Sequence, residues 1–151
     1  AEMANRFQEE TLALGAWLDD DLLGFVFARP GQYAPVEDED GLAMDLAPEA
    51  GYGYDSFVVS QYRRTGVFHN LLANEIKMLA ENGVERIYST IAAGNVASIK
   101  ATEKLGGELV ETISVTCILG ITRYNSVADG KVKSQWRYYK SPKRFVSQAA
   151  K

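Results

Sequence analysis

Arg63-Arg64-Thr65-Gly66 joins two contrasting stretches of the chain. Before it stands a short β-branched run, Ser56-Phe57-Val58-Val59-Ser60, of strand length and composition. After it, apolar residues at Val67, Phe68, Leu71, Leu72, Ile76 and Leu79 recur with the period of an amphipathic helix. A strand, a basic turn and a helix N-terminus in that order gather free backbone N–H groups and the positive end of the helix dipole. The expected chemistry is the binding of an anion. The plainer alternative is an ordinary connection whose two arginines are solvated. A second set, Asn95, Ser98 and Thr102, is spaced by three and four and so shares one helical face. An N-cap and two packed hydroxyls would give the same pattern. His69, the single histidine, falls in the first turn of the expected helix, where capping or exposure is the simpler role. Cys117 lies in an apolar run, is expected to be buried, and has no second cysteine for an internal disulfide.

The elements that must position these residues follow in order. Thr11–Leu18 and Leu22–Ala28 read as a hairpin around Asp19-Asp20-Asp21, stopped by Pro30-Gly31. Residues 32–53 form a connection longer than most loops, with acidic residues at 37–40, which implies function, partial disorder or a small hidden element. The organising unit then ends at Asn82-Gly83, where glycine can close the helix. Val84–Ile91 is a strand expected to lie parallel to the one before it, through a right-handed crossover. Asn95 stands at an N-cap position, Val96–Leu105 is helical, and Gly106-Gly107 ends it. Glu108–Tyr124 reads as one long strand with a bend or bulge near Gly120, Asn125–Gly130 as a turn, and Lys131–Lys140 as a partner strand. The tail, 141–151, is basic and expected to fray.

Two motifs in this order carry a family resemblance. Arg63-Arg64-Thr65-Gly66-Val67-Phe68 resembles the pyrophosphate loop R/Q-x-x-G-x-G/A of the GNAT N-acetyltransferase superfamily, and Val58 matches the valine preceding that loop. Asn95-Val96-Ala97-Ser98-Ile99-Lys100-Ala101-Thr102-Glu103-Lys104-Leu105-Gly106 resembles the family's N-x-x-(A/S)-I-x-x-(Y)-E-K-L-G helix. The resemblance covers roughly Thr11 to Tyr139. It implies an α/β (α+β) fold: one domain, with a mixed, splayed sheet of about six strands flanked by two main helices. The family usually places a strand and one or two helices before the first hairpin. Only about ten residues stand there in this chain, which implies a piece of a longer protein or an abbreviated fold.

The resemblance also implies a function. The chain would be an N-acyltransferase that moves an acetyl or other acyl group from acetyl-CoA, or another acyl-CoA, to an amine of a small molecule or protein. The pyrophosphate would lie on the loop Arg63, Arg64, Thr65, Gly66, Val67 and Phe68, with Phe68 in place of the usual small residue and its ring turned to the core. The pantetheine arm would pair with the backbone of Val58, Val59 and Ser60, and the Val58 N–H would face the thioester oxygen. Asn95 would join the cofactor site. The family's acid, a tyrosine seven residues after Asn95, is Thr102 here, which leaves Ser98 and Thr102 to hydrogen-bond a thiolate. Tyr54 and Asp55 are both candidates for the base, because a bulge in the strand before Val58 would exchange which of them faces the site. A GNAT-like domain that binds acyl-CoA or a protein without catalysis is the alternative.

Composition narrows the partners. At 151 residues with 46% hydrophobic and 24% charged residues, a single-cored globular chain is expected. A net charge of −4 argues against a general nucleic-acid or anionic-membrane binder. One histidine and one cysteine leave little for a zinc site. A signal-peptide pattern and a membrane-length apolar run are both missing from the sequence, so a cytoplasmic setting is expected. An apolar edge around Trp17, Phe25 and Phe27 leads us to expect a two-fold homodimer.

Overall fold

A computed structural model describes residues 11–30, 42–43, 46–119, 121–138 and 145–146. In chain order its elements are β1 (Leu12–Leu18), β2 (Asp21–Pro30), β3 (Leu42–Ala43), β4 (Ala50–Val58), a 3-10 turn (Ser60–Tyr62) and α1 (Val67–Glu81). There follow β5 (Arg86–Ser89), α2 (Val96–Lys104), β6 (Thr112–Ile118), β7 (Ile121–Ala128), β8 (Lys131–Tyr138) and β9 (Phe145–Val146). This is the mixed α+β class expected from the sequence. The chain divides into two compact units, Ala1–Tyr33 with Pro48–Glu108, and Ala34–Ala47 with Leu109–Lys151.

The first unit holds a four-stranded sheet in the order β1-β2-β4-β5. β1 and β2 form the expected hairpin, reversing at Asp19, whose φ of 53° is one that aspartate tolerates better than most residues. β4 is antiparallel to β2, and β5 is parallel to β4, the two joined by α1 as a crossover. The long connection does contain a small element, β3, and β4 begins well before the Ser56–Ser60 run.

α1 presents Leu71, Glu75 and Leu79 to the sheet, three residues each one helical turn apart. Leu71 packs with Val26 and Val58, and Leu79 with Ala28 and Val84. The strand answers by alternation. Gly51 and Gly53 lie under α1, while Tyr52 and Tyr54 stack on the other face with ring centroids 6.0 Å apart. Trp17 is exposed, as expected of the edge hairpin, but Phe27 is buried.

The second unit holds the antiparallel meander β6-β7-β8 and the two-residue parallel pair β3-β9. Glu108–Tyr124 is therefore not one bent strand. It reverses between Ile118 and Ile121, and β7 continues to Ala128 before a turn at Asp129-Gly130. The irregularity expected near Gly120 is a full reversal: strand composition resumes at once beyond it, and Leu119, just before that glycine, has φ 49°. Cys117 is exposed rather than buried. Its place near the hairpin tip explains this: burial along β6 fades from half-buried Ile113 and Val115 to exposed Thr116–Ile118.

Leu79 has no solvent exposure, so Leu79→Ala is expected to cost about 2–5 kcal/mol by urea denaturation, whereas Lys77→Ala on the exposed face should cost under about 0.5 kcal/mol. Equal costs would contradict the assigned face of α1.

Candidate functional site

The site begins where β4 leaves β5. Pairing between them runs from Ala50↔Arg86 to Gly53↔Ser89, and β4 continues to Val58. Just past that point β4 bulges: Phe27 pairs with Tyr54 and Phe25 with Phe57, so Asp55 and Ser56 together oppose Val26. Asp55 takes φ 46° to make the extra residue fit. The bulge weighed in the sequence is thus present.

The Val59 N–H is donated to the Leu23 carbonyl of β2 at 2.9 Å. Alternation along the strand then turns the Val58 N–H the other way, to the edge that β5 has left. On that same edge the Val58 carbonyl accepts the Arg63 Nε–H at 3.1 Å. Arg63 so holds the loop against its strand. The 3-10 turn is closed by the Tyr62 N–H on the Val59 carbonyl (2.9 Å) and by the Thr65 hydroxyl on the Tyr62 carbonyl (2.7 Å).

Gly66 then starts α1 at φ 95°, and a Cβ placed on it would meet nothing within 4 Å. The space above the helix start is open, and no side chain caps it. The first amide bonded back is that of Asn70, to the Gly66 carbonyl at 3.0 Å, so those of Val67, Phe68 and His69 stand at the positions that lack intrahelical acceptors. With Arg63 and Arg64 exposed beside them, an anion fits this turn. Arg64 adopts φ 65°, a left-handed backbone that costs on the order of 1 kcal/mol in a non-glycine residue. Phe68 packs its ring on the cluster of Val26, Val58 and Leu71, leaving its amide at the helix start.

Below the loop lies a cavity of about 450 Å³, whose walls include Tyr54, Asp55, Phe68, Asn95, Ser98 and Thr102. Tyr54 and Asp55 of β4 are therefore brought together with Asn95, Ser98 and Thr102, whereas Val58, Val59, Ser60 and residues 63–67 are not part of that wall. Asn95 caps α2 by accepting the Ser98 N–H at 3.3 Å. The Tyr54 hydroxyl is 3.2 Å from the Thr11 hydroxyl, and its ring lies under the Arg29 guanidinium. The two base candidates thus differ: Tyr54 is half-buried with its hydroxyl engaged, while Asp55 is exposed.

The cavity also holds a residue that the sequence reading passed over. Glu75 is 4% exposed, lines the cavity, and its Oε1 finds no hydrogen-bond partner among the described residues. Burial pushes its carboxyl up to about 7. It sits over Gly53, where any Cβ would collide with that oxygen. The missed signal was its spacing of four from both Leu71 and Leu79, which puts it on the buried face.

The folded chain binds the Glu75 proton more tightly than the unfolded chain, so stability falls as pH rises from about 4.5 to about 7 and stays reduced above that. Glu75→Gln is expected to be more stable than the parent near pH 8, by up to roughly 3 kcal/mol, and equal to it near pH 4. Denaturant titrations at both pH values check this, and a variant destabilised at pH 8 would contradict the buried, unpartnered carboxyl.

Comparison with known proteins agrees with this geometry. The model of the acetyltransferase (GNAT) family matches residues 2–107. No curated protein matches the chain. Among solved structures, an aminoglycoside 6'-N-acetyltransferase from Acinetobacter haemolyticus superposes with TM-score 0.59 at 19% identity, over 78% of this chain and 77% of that one. The ribosomal-protein-S18-alanine N-acetyltransferase from Escherichia coli gives 0.59 at 16%, over 95% and 80%. A further aminoglycoside N-acetyltransferase, in complex with CoA, gives 0.58 at 21%, over 74% and 78%. At these identities the structures speak for the fold. Among the described residues no helix is long and apolar enough to cross a membrane. With its family model matched over most of the sequence, and strand, loop and helix disposed as that fold requires, the chain belongs to the GNAT acetyltransferase family.

Proposed function

We propose that this chain is an acyl-CoA-dependent N-acyltransferase acting on an amine of a small molecule or protein. The observation that carries the reading is the open start of α1 beside an unpaired strand edge. Gly66 leaves the approach to the Val67 and Phe68 amides clear, and the Val58 N–H points to the edge vacated by β5. Acyl-CoA, when bound, supplies an acyl group activated as a thioester. The amides of Arg64, Gly66, Val67 and Phe68 would hold its pyrophosphate, with Arg63 and Thr65 fixing the loop. Val58, Val59 and Ser60 offer backbone for the extended arm, and the Val58 N–H would stabilise charge on the thioester oxygen. Asn95 lines the cavity that Phe68 borders. The structural neighbours named above act on aminoglycosides or on a ribosomal protein, which leaves the acceptor at the level of an amine. A two-fold dimer that covers exposed Trp17 is part of the same reading.

A second reading, acyl-CoA binding with little turnover, is favoured by one observation. Thr102 stands where the family places its tyrosine acid. A threonine hydroxyl can hydrogen-bond a thiolate but gives up its proton poorly. In the leading reading Ser98 and Thr102 do this from one face of α2, while Asp55 or Tyr54 receives the amine proton through water.

Gly66→Asp puts a carboxylate at the open helix start, so CoA affinity measured by calorimetry should fall at least about a hundredfold, while the melting temperature drops only by the modest strain of a non-glycine φ. Unchanged affinity would remove the loop from the site. Thr102→Tyr is expected to raise acyl transfer severalfold, followed by thiol release from acetyl-CoA with a panel of primary amines. A folded variant with no gain would place the acid elsewhere.

A further inference from the structure

Of the carboxylates among the described residues, Glu75 alone is buried. It stands between the core residues Leu71 and Leu79 on the buried face of α1, where packing alone would favour leucine. Its Oε1 is sealed against Gly53, with no hydrogen-bond partner among the described residues. Gly53 is the last residue of β4 that pairs with β5, and on its other side it pairs with Ala28 of β2. The carboxyl therefore bears on β4 at the point where the strand edge opens. Leu71, one turn towards the helix start, packs on Val58, whose N–H faces that edge. One helix thus touches β4 at both ends of its unpaired stretch, and the same helix begins at Gly66 with the anion-binding turn.

We propose that Glu75 is a positioning residue whose proton fixes the start of α1 against the open edge of β4, and so sets the affinity of the cofactor site. This rests on the acyltransferase reading and deepens it, because it makes cofactor uptake depend on a proton outside the reaction itself. The protonated carboxyl can lie flush on Gly53. An ionised one cannot: a buried carboxylate oxygen without a donor is costly, and solvent reaches Oε1 only if α1 lifts from the strand. Lifting works on the Leu71–Val58 contact and separates the two halves of the site. No cation on the cavity wall offsets the charge. The α1-facing positions of β2 are Gly24, Val26 and Ala28, and β1 has no ionisable residue. β4 brings Tyr54 and Asp55 to the cavity wall, and the turn after α1 brings Glu85. Arg86 and Tyr88 of β5 and Lys100, Glu103 and Lys104 of α2 are not on that wall. On α1 itself, His69, Lys77 and Glu81 are exposed. Burial accordingly lifts the carboxyl to about 7, so the change falls near neutrality. A cofactor that favours the protonated form must, by linkage, raise that value when it binds.

The test compares the parent with Glu75→Gln and Glu75→Leu. CoA affinity is measured by calorimetry near pH 6 and near pH 8.5, on either side of the carboxyl's value of about 7. NMR follows 13C-labelled glutamate carboxyl groups and 15N-labelled amides in the same range. Any pH dependence of CoA or of His69 is common to all three proteins. On going to the higher pH the parent should lose at least about fivefold more affinity than either variant. Saturating CoA should raise the Glu75 midpoint by roughly 0.7 pH unit or more, the logarithm of that factor. In the CoA-free parent the Val58 and Val67 amide shifts should follow the carboxyl's titration, a step that both variants should lack. A glutamate that merely packed would move neither the affinity profile nor the midpoint. Equal pH profiles in parent and variants, or Val58 and Val67 amides blind to the carboxyl, would overturn the proposal. The CoA-induced midpoint shift needs no variant, so it decides even where a substitution fails to fold. CoA uptake at no pH, with the amides still following the carboxyl, would overturn the acyltransferase reading and support the coupling. Uptake with identical pH profiles would do the reverse.

Discussion

β4 is paired with β2 along its length but with β5 only as far as Gly53, and that early parting makes the site. A parallel partner carried on to Val58 would take up the very N–H and C=O groups that face the gap. The bulge at Asp55-Ser56 falls just beyond the last β4-β5 pair, where it adds a residue and increases twist. Its cost is a left-handed aspartate, and its result is a strand end with one backbone edge in the core sheet and the other open. The Arg63 side chain then fastens the following loop to the Val58 carbonyl, so strand edge and helix start are held in fixed relation. An anion at the helix start and an extended chain along the strand can then belong to one ligand.

The other face of the same strand explains the cavity. Gly51 and Gly53 let α1 come close, and α1 meets them with Leu79 and with Glu75. Leu71 and Leu79 anchor the helix at either end of its buried face through separate clusters, the first with Val26 and Val58, the second with Ala28 and Val84. Between these anchors Glu75 lines the cavity, with its Oε1 set against Gly53. Stability is thereby exchanged for a polar group in a pocket, a bargain that folded chains strike at functional positions more often than elsewhere.

Much of the first unit was legible in the sequence. The apolar run Leu22–Ala28 stopped by Pro30-Gly31, the stripe from Val67 to Leu79 and the cap at Asn95 are local signals, and they correspond to β2, α1 and α2. The loop was legible because its glycine, arginines and neighbouring strand lie within a dozen residues. What was not legible needed long-range pairing. The bulge is defined by Val26 on another strand, and the Tyr54–Thr11 hydrogen bond spans 43 positions. Glu75 was hidden differently: one charged residue within an apolar stripe reads as a solvated position until Gly53 is found opposite. In the second unit Gly120 marked an irregularity, but that it is a full reversal, and that Cys117 is exposed, escaped because strand composition resumes directly after it.

The central claim is that the strand edge at Val58 and the start of α1 receive one cofactor. Adding CoA to 15N-labelled protein and mapping amide shifts tests it most directly. The expected result is a set of saturable shifts at Val58, Gly66, Val67, Phe68 and His69, with Asn95 following at the same concentration. Saturable shifts confined to β6, β7 and β8, or none at millimolar CoA, would contradict it.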